Sequence, residues 1–397
     1  MRPATYQRQL HGRGGYGLGD GERRHRGHRG RHRRRSAAYA LARANIGSVR
    51  LVETEPTLAF HTTGRSAAQL IENYGAAPIR QLTIASLGFF HDTPDGLVDT
   101  PLLTTRGILT VGAPGTSDRI QSELEAGQAM NPTIVEVTPD VAINLVPVLR
   151  RSEIERVIWE PQSADIDVAG LHQSFVRGMR AAGATVATAT KVDCASPDGG
   201  HWRVETTDGA FAAGHVVNAA GAWGDLVAAS CGVEPVGLEP KRRTAFMIKS
   251  GYRDSAHWPL FGDANNSWYV KPDGPQFMCS PSDEVPSEPV DAKPDELDIA
   301  MAIDRINQYT TLEIRSIASS WAGLRTFSPD RSMVMGPDPD HPTFHWCVGQ
   351  GGTGIQSSPA AGQLIADLLA TGAPGPLFDS LTKPLDLAGL TPARLRP

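Results

Sequence analysis

A glycine-rich turn near the end of the chain has the composition of a ligand-binding loop. Residues 349–356 read GQGGTGIQ and lie between an apolar strand, residues 344–348, and a helix expected over 358–370. Glycines let a backbone approach a ligand closely, and free N–H groups at a helix start attract anions. Because glycine turns also form helix caps and tight corners, the turn alone leaves both interpretations open.

Two further strands end where a ligand could bind. Residues 215–221 read HVVNAAG, a buried strand with a glycine at its carboxyl end, where ligands lie in a doubly wound sheet. Earlier, Ser36 opens the good helix former SAAYALARA, and the strand that follows ends at Glu53. A helix, a strand and an acid in this order are the second part of a dinucleotide-binding βαβ unit. Its first strand and G-x-G-x-x-G turn should come directly before Ser36.

The segment before Ser36 reads very differently. Residues 21–35 are GERRHRGHRGRHRRR, with 11 of 15 residues Arg or His and no apolar periodicity. Residues 24–34 can be written in codons that, read one base later, encode DIVVIGAGIAG, a buried strand running into the missing glycine turn. We therefore interpret this head as a frameshifted start of the dinucleotide-binding unit. A solvated tail and a basic nucleic-acid-binding arm are the alternatives.

Charge and composition separate the head from the rest of the chain. Residues 1–35 carry 11 Arg and 2 acids, a net charge of +9, whereas the other 27 Lys+Arg and 41 Asp+Glu give −14. With 40% hydrophobic residues the chain can form two modest cores, and it has no run of 18 apolar residues and no secretory signal. Four scattered cysteines without a C-x-x-C pair favour a reducing, cytoplasmic location and argue against disulfides and a metal site.

Five separated motifs occur in an order that resembles a known family. Together they resemble the FAD-dependent D-amino-acid oxidase superfamily, and within it most closely the bacterial D-arginine dehydrogenases. The resemblance runs from about Ser36 to the C-terminus, and the shifted reading of the head supplies the one motif that the family requires and this chain lacks. The five motifs are HTTGRSAA (61–68), VNAAGAW (217–223), PKRR (240–243), WAGLR (321–325) and GGTGIQ (351–356).

The resemblance implies an α/β fold with two domains. A Rossmann-like FAD-binding domain of the glutathione-reductase type is expected beside an α+β substrate domain built on an antiparallel sheet. Residues 1–35 are interpreted as a basic N-terminus that is aberrant or disordered. The expected FAD-binding domain comprises 36–75, 150–240 and 320–397, and the expected substrate domain comprises 76–149 and 241–319.

FAD is the cofactor that the resemblance implies, and each of its parts is assigned to residues of this chain. Glu53 would bond the adenosine ribose, and Val192 would meet the adenine through its backbone. Gly221 would lie near the pyrophosphate. The residues expected to line the pyrophosphate and flavin are Thr62, Thr63, Arg65, Ser66 and Ala67, and those expected to close on the isoalloxazine are Gly351, Gly352, Gly354, Ile355 and Gln356.

On the substrate side, the resemblance makes Arg243 and Arg325 the clamps of a carboxylate. A guanidinium fork binds a carboxylate through two hydrogen bonds and stays charged at any working pH. Tyr74 and Tyr269 would donate from their hydroxyls, and the Gly352 carbonyl would accept from the substrate amine. A substrate held in this way directs its α-hydrogen at flavin N5, so orientation supplies much of the rate.

Two departures from the D-arginine dehydrogenase pattern bear on the substrate. Ile108 stands where that pattern has an acid for the cationic side chain, and Gln69 replaces a histidine. A guanidinium beside Ile108 would be desolvated without a partner, so the sequence favours a D-amino acid with a neutral or apolar side chain over D-arginine. Without the histidine no general base is evident, and the substrate amine is expected to lose its proton to water or near Tyr74 or Gln69.

The expected reaction is FAD-dependent oxidation of a D-amino acid to an imino acid, which water hydrolyses to a 2-oxo acid and ammonia. A glycine or sarcosine oxidase, or a 2-hydroxy-acid oxidoreductase, shares the arginine clamp and is the nearest alternative. The alternative from another class is a flavin-free scaffold whose basic arm binds nucleic acid, a partner that the first interpretation does not expect. The electron acceptor, oxygen or a quinone-type partner, stays open.

Overall fold

The computed structural model describes residues 33–129, 131–252 and 254–396. The first 32 residues, and with them most of the basic head and its frameshift interpretation, lie outside the described residues. Nowhere in the described ranges is a helix long and apolar enough to pass through a membrane. The helices of the described residues are α1 (Arg33–Ala44), α2 (Ala77–His91), α3 (Ser117–Gln128), α4 (Pro139–Leu145), α5 (Val168–Ala181), α6 (Gly224–Ser230), α7 (Glu296–Tyr309) and α8 (Ser358–Thr371).

The strands of the same residues form five sheets. In chain order they are β1 (Arg50–Val52), β2 (Gln69–Leu70), β3 (Leu103–Thr105), β4 (Ile108–Gly112), β5 (Val135–Val137), β6 (Arg156–Glu160), β7 (Ala164–Ile166), β8 (Thr185–Ala187), β9 (Val192–Asp198), β10 (His201–Thr206), β11 (Gly209–Ala213), β12 (Val216–Asn218), β13 (Glu239–Lys249), β14 (Leu260–Asp263), β15 (Tyr269–Asp273), β16 (Gln276–Ser280), β17 (Val285–Pro286), β18 (Ser319–Phe327), β19 (Val334–Pro337) and β20 (Phe344–Val348).

The last helix and the strand before it begin and end close to where the sequence predicts them. The predicted strand over 344–348 is β20, and the helix predicted over 358–370 is α8. Helix α8 stops at Gly372, whose φ of 76° is left-handed backbone that glycine adopts without a side-chain clash. The glycine-rich turn therefore does link a buried strand to a helix.

The parallel strand pairs bring the glycine turns to one side of the molecule. Strand β12 pairs in parallel with β20, with Asn218 opposite Trp346, so the turns that follow both strands leave the sheet in the same direction. A second parallel pair joins β1 to β8. Helix α1 packs against α8 and α5. The carboxyl ends of parallel strands are where α/β folds bind ligands.

A nine-stranded sheet forms the second large element of the fold. Its strands follow the order β17-β13-β16-β15-β14-β4-β6-β5, with β18 paired to the other side of β13. Every pairing is antiparallel except that of β14 with β4. One face carries buried apolar side chains, among them Phe246, Phe261 and Phe277, and packs on α4 and α7. The predicted α/β class is confirmed, and so is the largely antiparallel second sheet.

Two strands of this sheet come from segments that the sequence assigned to the FAD-binding domain. Strand β6 pairs with β4 and β5, and β18 pairs with β13 along nine residue pairs. Hydrogen bonding to distant strands decides which sheet a segment joins. The WAGLR motif inside β18 does not reveal the partners of that strand, and β6 carries no motif. Strands β6 and β18 thus belong to the nine-stranded sheet, and the division of the chain into two domains stays a prediction.

Candidate active site

The register of β13 and β18 puts two arginines side by side. Arg243 lies opposite Gly323, and Arg325 is two residues further along β18. Directly opposed residues share a face of an antiparallel sheet, and so do residues two apart along a strand. Both guanidinium groups therefore project from the face of the nine-stranded sheet that does not carry its apolar core.

Each guanidinium is held, but their charges are only partly neutralised. Arg243 donates through Nε to the Asp283 carbonyl at 2.8 Å and through a terminal nitrogen to Glu284 at 3.2 Å. The same Glu284 carboxylate also pairs with Arg331 at 3.0 Å. Arg325 donates to the Tyr74 hydroxyl at 3.2 Å and has no ion pair among the described residues.

The pKa shifts show the excess of positive charge. Burial, and after it the neighbouring Arg325, lower the pKa of Arg243 to about 10, while Tyr269, Tyr74 and Glu284 act in the opposite direction. Arg325 lowers the pKa of Tyr74, against the effect of burial. Burial acts to lower the pKa of Arg325 as well, but Tyr74, Tyr269 and Glu284 outweigh it and the pKa is raised. Both arginines are cationic at neutral pH, and the point between them attracts an anion.

Two adjoining cavities meet at these arginines. The smaller has a volume of about 100 Å³ and the larger a volume of about 440 Å³. Because they share walls, they are two parts of one space with the arginines at the boundary. The residues that line both are Ser66, Ala67, Arg243, Tyr269, Arg325, Gly352 and Ile355.

The smaller cavity lies under the predicted glycine turn, and the turn at residues 62–65 forms its opposite wall. The Thr62 hydroxyl donates to the Leu324 carbonyl at 2.7 Å, and Arg65 donates to the Ala322 carbonyl at 2.7 Å. Trp321 donates from its indole nitrogen to the Arg65 carbonyl at 3.1 Å. These bonds fasten the turn to β18, so the walls of the cavity hold fixed positions relative to Arg325.

The residues around the smaller cavity fit a flat ring system. Its walls are largely small side chains and backbone, from residues 62–67, 219–223 and 350–355. Gly221 has a left-handed φ of 62° and open space where a Cβ would stand. A Cβ on Gly352 would come within 2.8 Å of the Arg325 guanidinium carbon, so the turn backbone packs directly on the clamp. Such a lining lets an isoalloxazine edge reach backbone N–H groups.

Most predicted site residues come together here. Of the thirteen residues assigned to the cofactor, all but Glu53, Val192 and Gln356 line the smaller cavity, together with Arg243, Arg325 and Tyr269 of the predicted clamp. Tyr74, Gln69 and Gln356 line the larger one.

Three of the residues assigned to the cofactor do not line the smaller cavity, and Gln69 of the predicted substrate site is described with them. Glu53 is buried at the end of β1 and Val192 begins β9, and neither lines the two cavities. The Gln356 amide donates to the Ile71 carbonyl at 3.0 Å and accepts from the Ile71 N–H at 3.0 Å, which braces the chain before α2. Both amide atoms of Gln69 are buried without a hydrogen-bond partner among the described residues.

Sequence reasoning missed an acidic wall in the larger cavity. Glu160 on β6 lies opposite Ile108 on β4 and lines the cavity together with Glu123 and Arg80. Burial, and after it the neighbouring Glu123 and Glu72, raise the pKa of Glu160 to about 7 against the opposing effect of Arg80. The alternation of residues 156–160 could have shown which side chains share a face, but not that β6 lies beside β4. The premise that Ile108 leaves this cavity without an acid is therefore corrected.

The α/β fold places two arginines beside a cavity that is lined largely by small residues and backbone. The family model described as "DAO: FAD dependent oxidoreductase" matches residues 35–368. The chain belongs to this family, and FAD is the cofactor of the class, as the motifs predicted. The closer likeness to D-arginine dehydrogenases and the frameshift stay predictions.

Individual relatives are distant. The chain is 28% identical over 176 residues to FAD-dependent oxidoreductase domain-containing protein 1 of Bos taurus, a match covering 40% of this chain and 36% of the relative. It is 25% identical over 238 residues to glycine oxidase of Geobacillus kaustophilus, covering 59% and 61%. The crystal structure of that glycine oxidase superimposes with a TM-score of 0.76 at 18% identity, covering 90% and 94% of the two chains. The chain thus spans 36% and 61% of the lengths of these two curated relatives.

Proposed function

We propose that the protein oxidises the Cα–N bond of an α-amino acid, with the D enantiomer preferred. The observation that carries this proposal is the pair Arg243 and Arg325 at the boundary of the two cavities, where a carboxylate would relieve their mutual repulsion. The D configuration rests on the motif resemblance. The similarity to a glycine oxidase supports an amino acid rather than a hydroxy acid.

In this proposal the residues of the chain orient the substrate. Arg243 and Arg325 bind its carboxylate, the hydroxyls of Tyr74 and Tyr269 hydrogen-bond to it, and the Gly352 carbonyl accepts from its amine. Bound FAD would accept a hydride from the α-carbon at N5. The amine loses one proton to water, which leaves an imino acid that water hydrolyses to a 2-oxo acid and ammonia. Positioning of this kind accounts for a large share of a rate enhancement.

The proposed function does not include the preference for a substrate with a neutral or apolar side chain that the sequence suggested. That preference depended on the absence of an acid beside Ile108, and Glu160 stands opposite that residue in the same cavity. The volume of about 440 Å³ is also far more than glycine or sarcosine needs. These two ligands are the second candidate substrates because of the glycine oxidase likeness alone.

The cofactor test compares the chain as it stands with a variant in which residues 24–34 are replaced by DIVVIGAGIAG. We expect the variant to purify with the flavin absorbance near about 450 nm and the unaltered chain to carry much less, because Arg and His side chains obstruct the approach to the pyrophosphate. Equal flavin content in both would contradict the frameshift interpretation. Two colourless proteins that also fail to take up added FAD would contradict FAD-dependent catalysis by this chain.

The substrate test is a panel measured on flavin-loaded protein. We expect D-amino acids to be oxidised with a kcat/KM at least about tenfold above their L enantiomers. Release of ammonia and of the 2-oxo acid in equal amounts checks the reaction. Activity on glycine and sarcosine that exceeds all larger amino acids would favour the second candidate, and activity on 2-hydroxy acids alone would overturn the proposal.

A further inference from the structure

We propose that Glu160 is a specificity-determining residue that binds a positively charged end group on the substrate, at the far end of the larger cavity from the arginine pair. This inference deepens the proposed function and rests on it, since it takes the arginine pair as the carboxylate clamp. The acid would come from β6, which no motif of the sequence marks as part of the site.

Strand register places Glu160 on the cavity side of the sheet. Its cross-strand partner Ile108 lies opposite Leu260 on β14, and Gly262 on the same strand lies opposite Tyr269 on β15. All of these residues line the larger cavity. The alternate residue Phe261 on β14 belongs to the apolar core on the other face and does not line the cavity. Glu160 and the arginines therefore lie on one continuous face.

Glu160 lies several strands from the clamp. In the order β13-β16-β15-β14-β4-β6, four strands lie between the strand of Arg243 and the strand of Glu160. The two side chains nevertheless line the same cavity of about 440 Å³. Only an elongated ligand that extends across the cavity can contact both.

The surroundings of Glu160 leave its negative charge available. Its carboxylate makes no hydrogen bond to a described residue, and the nearest charged groups are Glu123, Glu72 and Arg80. Glu123 pairs with Arg119 at 3.3 Å, and Arg80 donates through Nε to the Gly75 carbonyl at 2.8 Å. Above the pKa of Glu160, the three carboxylates outnumber the two guanidinium groups of Arg80 and Arg119, which leaves a net negative end.

The cavity therefore has a positive end and a negative end. A ligand with a carboxylate at one terminus and a cationic group at the other satisfies both, whereas an apolar side chain of equal length would leave Glu160 desolvated and unpaired. The chemical class that fits is a long α-amino acid ending in an ammonium or guanidinium group.

The test uses binding, which needs no turnover. Calorimetry measures the affinities of ω-amino carboxylates of increasing length: γ-aminobutyrate, ε-aminocaproate and ω-aminooctanoate. Each is compared with the plain carboxylate of the same length, using the full chain and excess FAD. We expect the amino group to improve affinity by about tenfold or more once the ligand is long enough, and not at shorter lengths. Glu160→Gln should abolish this gain without weakening the binding of plain carboxylates, because the variant no longer has a charge for an apolar chain to desolvate. The matched control Glu125→Gln, on the exposed side of α3, should keep it.

The pH dependence has a definite sign. Glu160 is anionic above its pKa of about 7, and Glu123, Glu72 and Arg80 are the charged groups that face it. The gain from the amino group should be full near about pH 9, where an ammonium is still charged, and should decline as the pH falls below about 7. Glu160→Gln should show no such decline.

The outcomes separate the two proposals. If plain carboxylates bind and the amino group gives no gain at any length, or if Glu160→Gln keeps the gain, the assignment of Glu160 is wrong and the clamp stands. If no carboxylate binds, the proposed function is wrong, and the inference falls with it.

Discussion

Replacing Arg325 by leucine should lower kcat/KM for the amino-acid substrate by at least on the order of a hundredfold. Truncating one partner of a buried, hydrogen-bonded charge pair costs about 2–5 kcal/mol, and this clamp is expected to act in both binding and orientation. The loss should appear in KM as weaker carboxylate binding and in kcat as poorer alignment. Steady-state kinetics on flavin-loaded protein measures both.

Arg325→Leu should leave the free energy of unfolding nearly unchanged. The loss of an arginine with a purely structural role would lower it. Arg325 lowers the pKa of Arg243, so its removal relieves repulsion between two guanidinium groups. The lost hydrogen bond to Tyr74 at 3.2 Å offsets this gain. We expect the free energy of unfolding to change by no more than about 1 kcal/mol.

A matched control is Arg315→Leu. Arg315 is exposed, pairs with Glu313 at 3.1 Å and lines neither cavity. Exposed pairs contribute little, so both activity and stability should stay near the wild-type values. An Arg325→Leu protein with normal flavin content and wild-type kcat/KM would remove the central support of the proposed function.

Two of the motifs lie where parallel strands end: VNAAGAW runs out of β12 and GGTGIQ follows β20, whereas PKRR and WAGLR lie inside β13 and β18. HTTGR forms the turn that bonds to β18 through Thr62 and Arg65, and the glycines after β20 cover the smaller cavity. Such turns need particular small or hydrogen-bonding residues, and these needs are visible in the sequence. The arginines were identified in the same way, from short segments whose order matches the family.

What the sequence could not predict depends on which strands are neighbours. Ile108 alone indicated a cavity without an acid, because nothing in its own segment shows that Glu160 lies opposite it. Strand β6 is separated from β4 by α3, β5 and α4, and its place follows from hydrogen bonds and from the burial of Val157 and Trp159 against the core. The specificity that we propose for this cavity therefore depends on strand pairing and not on a motif.

The second prediction with a large expected effect concerns stability and the packing of α8 on α1. Gly362, inside α8, faces α1, and a Cβ there would stand 2.5 Å from the backbone carbonyl atoms of Ser36. Backbone of a helix cannot move aside as a side chain can, so the helices would have to separate. We expect Gly362→Ala to lower the free energy of unfolding by about 2–3 kcal/mol, measured by urea denaturation, and to reduce flavin retention because α1 packs on α8.

The control is the same substitution in another helix. Gly88, inside α2, is exposed and has nothing within 4 Å of the position of a Cβ. Alanine is the better helix former by about 0.5–1 kcal/mol, so Gly88→Ala should stabilise the protein while Gly362→Ala destabilises it. Opposite signs from one chemical change isolate the contact with Ser36 as the cause. If Gly362→Ala also stabilised the protein, α1 would not lie against α8 as described, and the first helix of the cofactor-binding part would need another position.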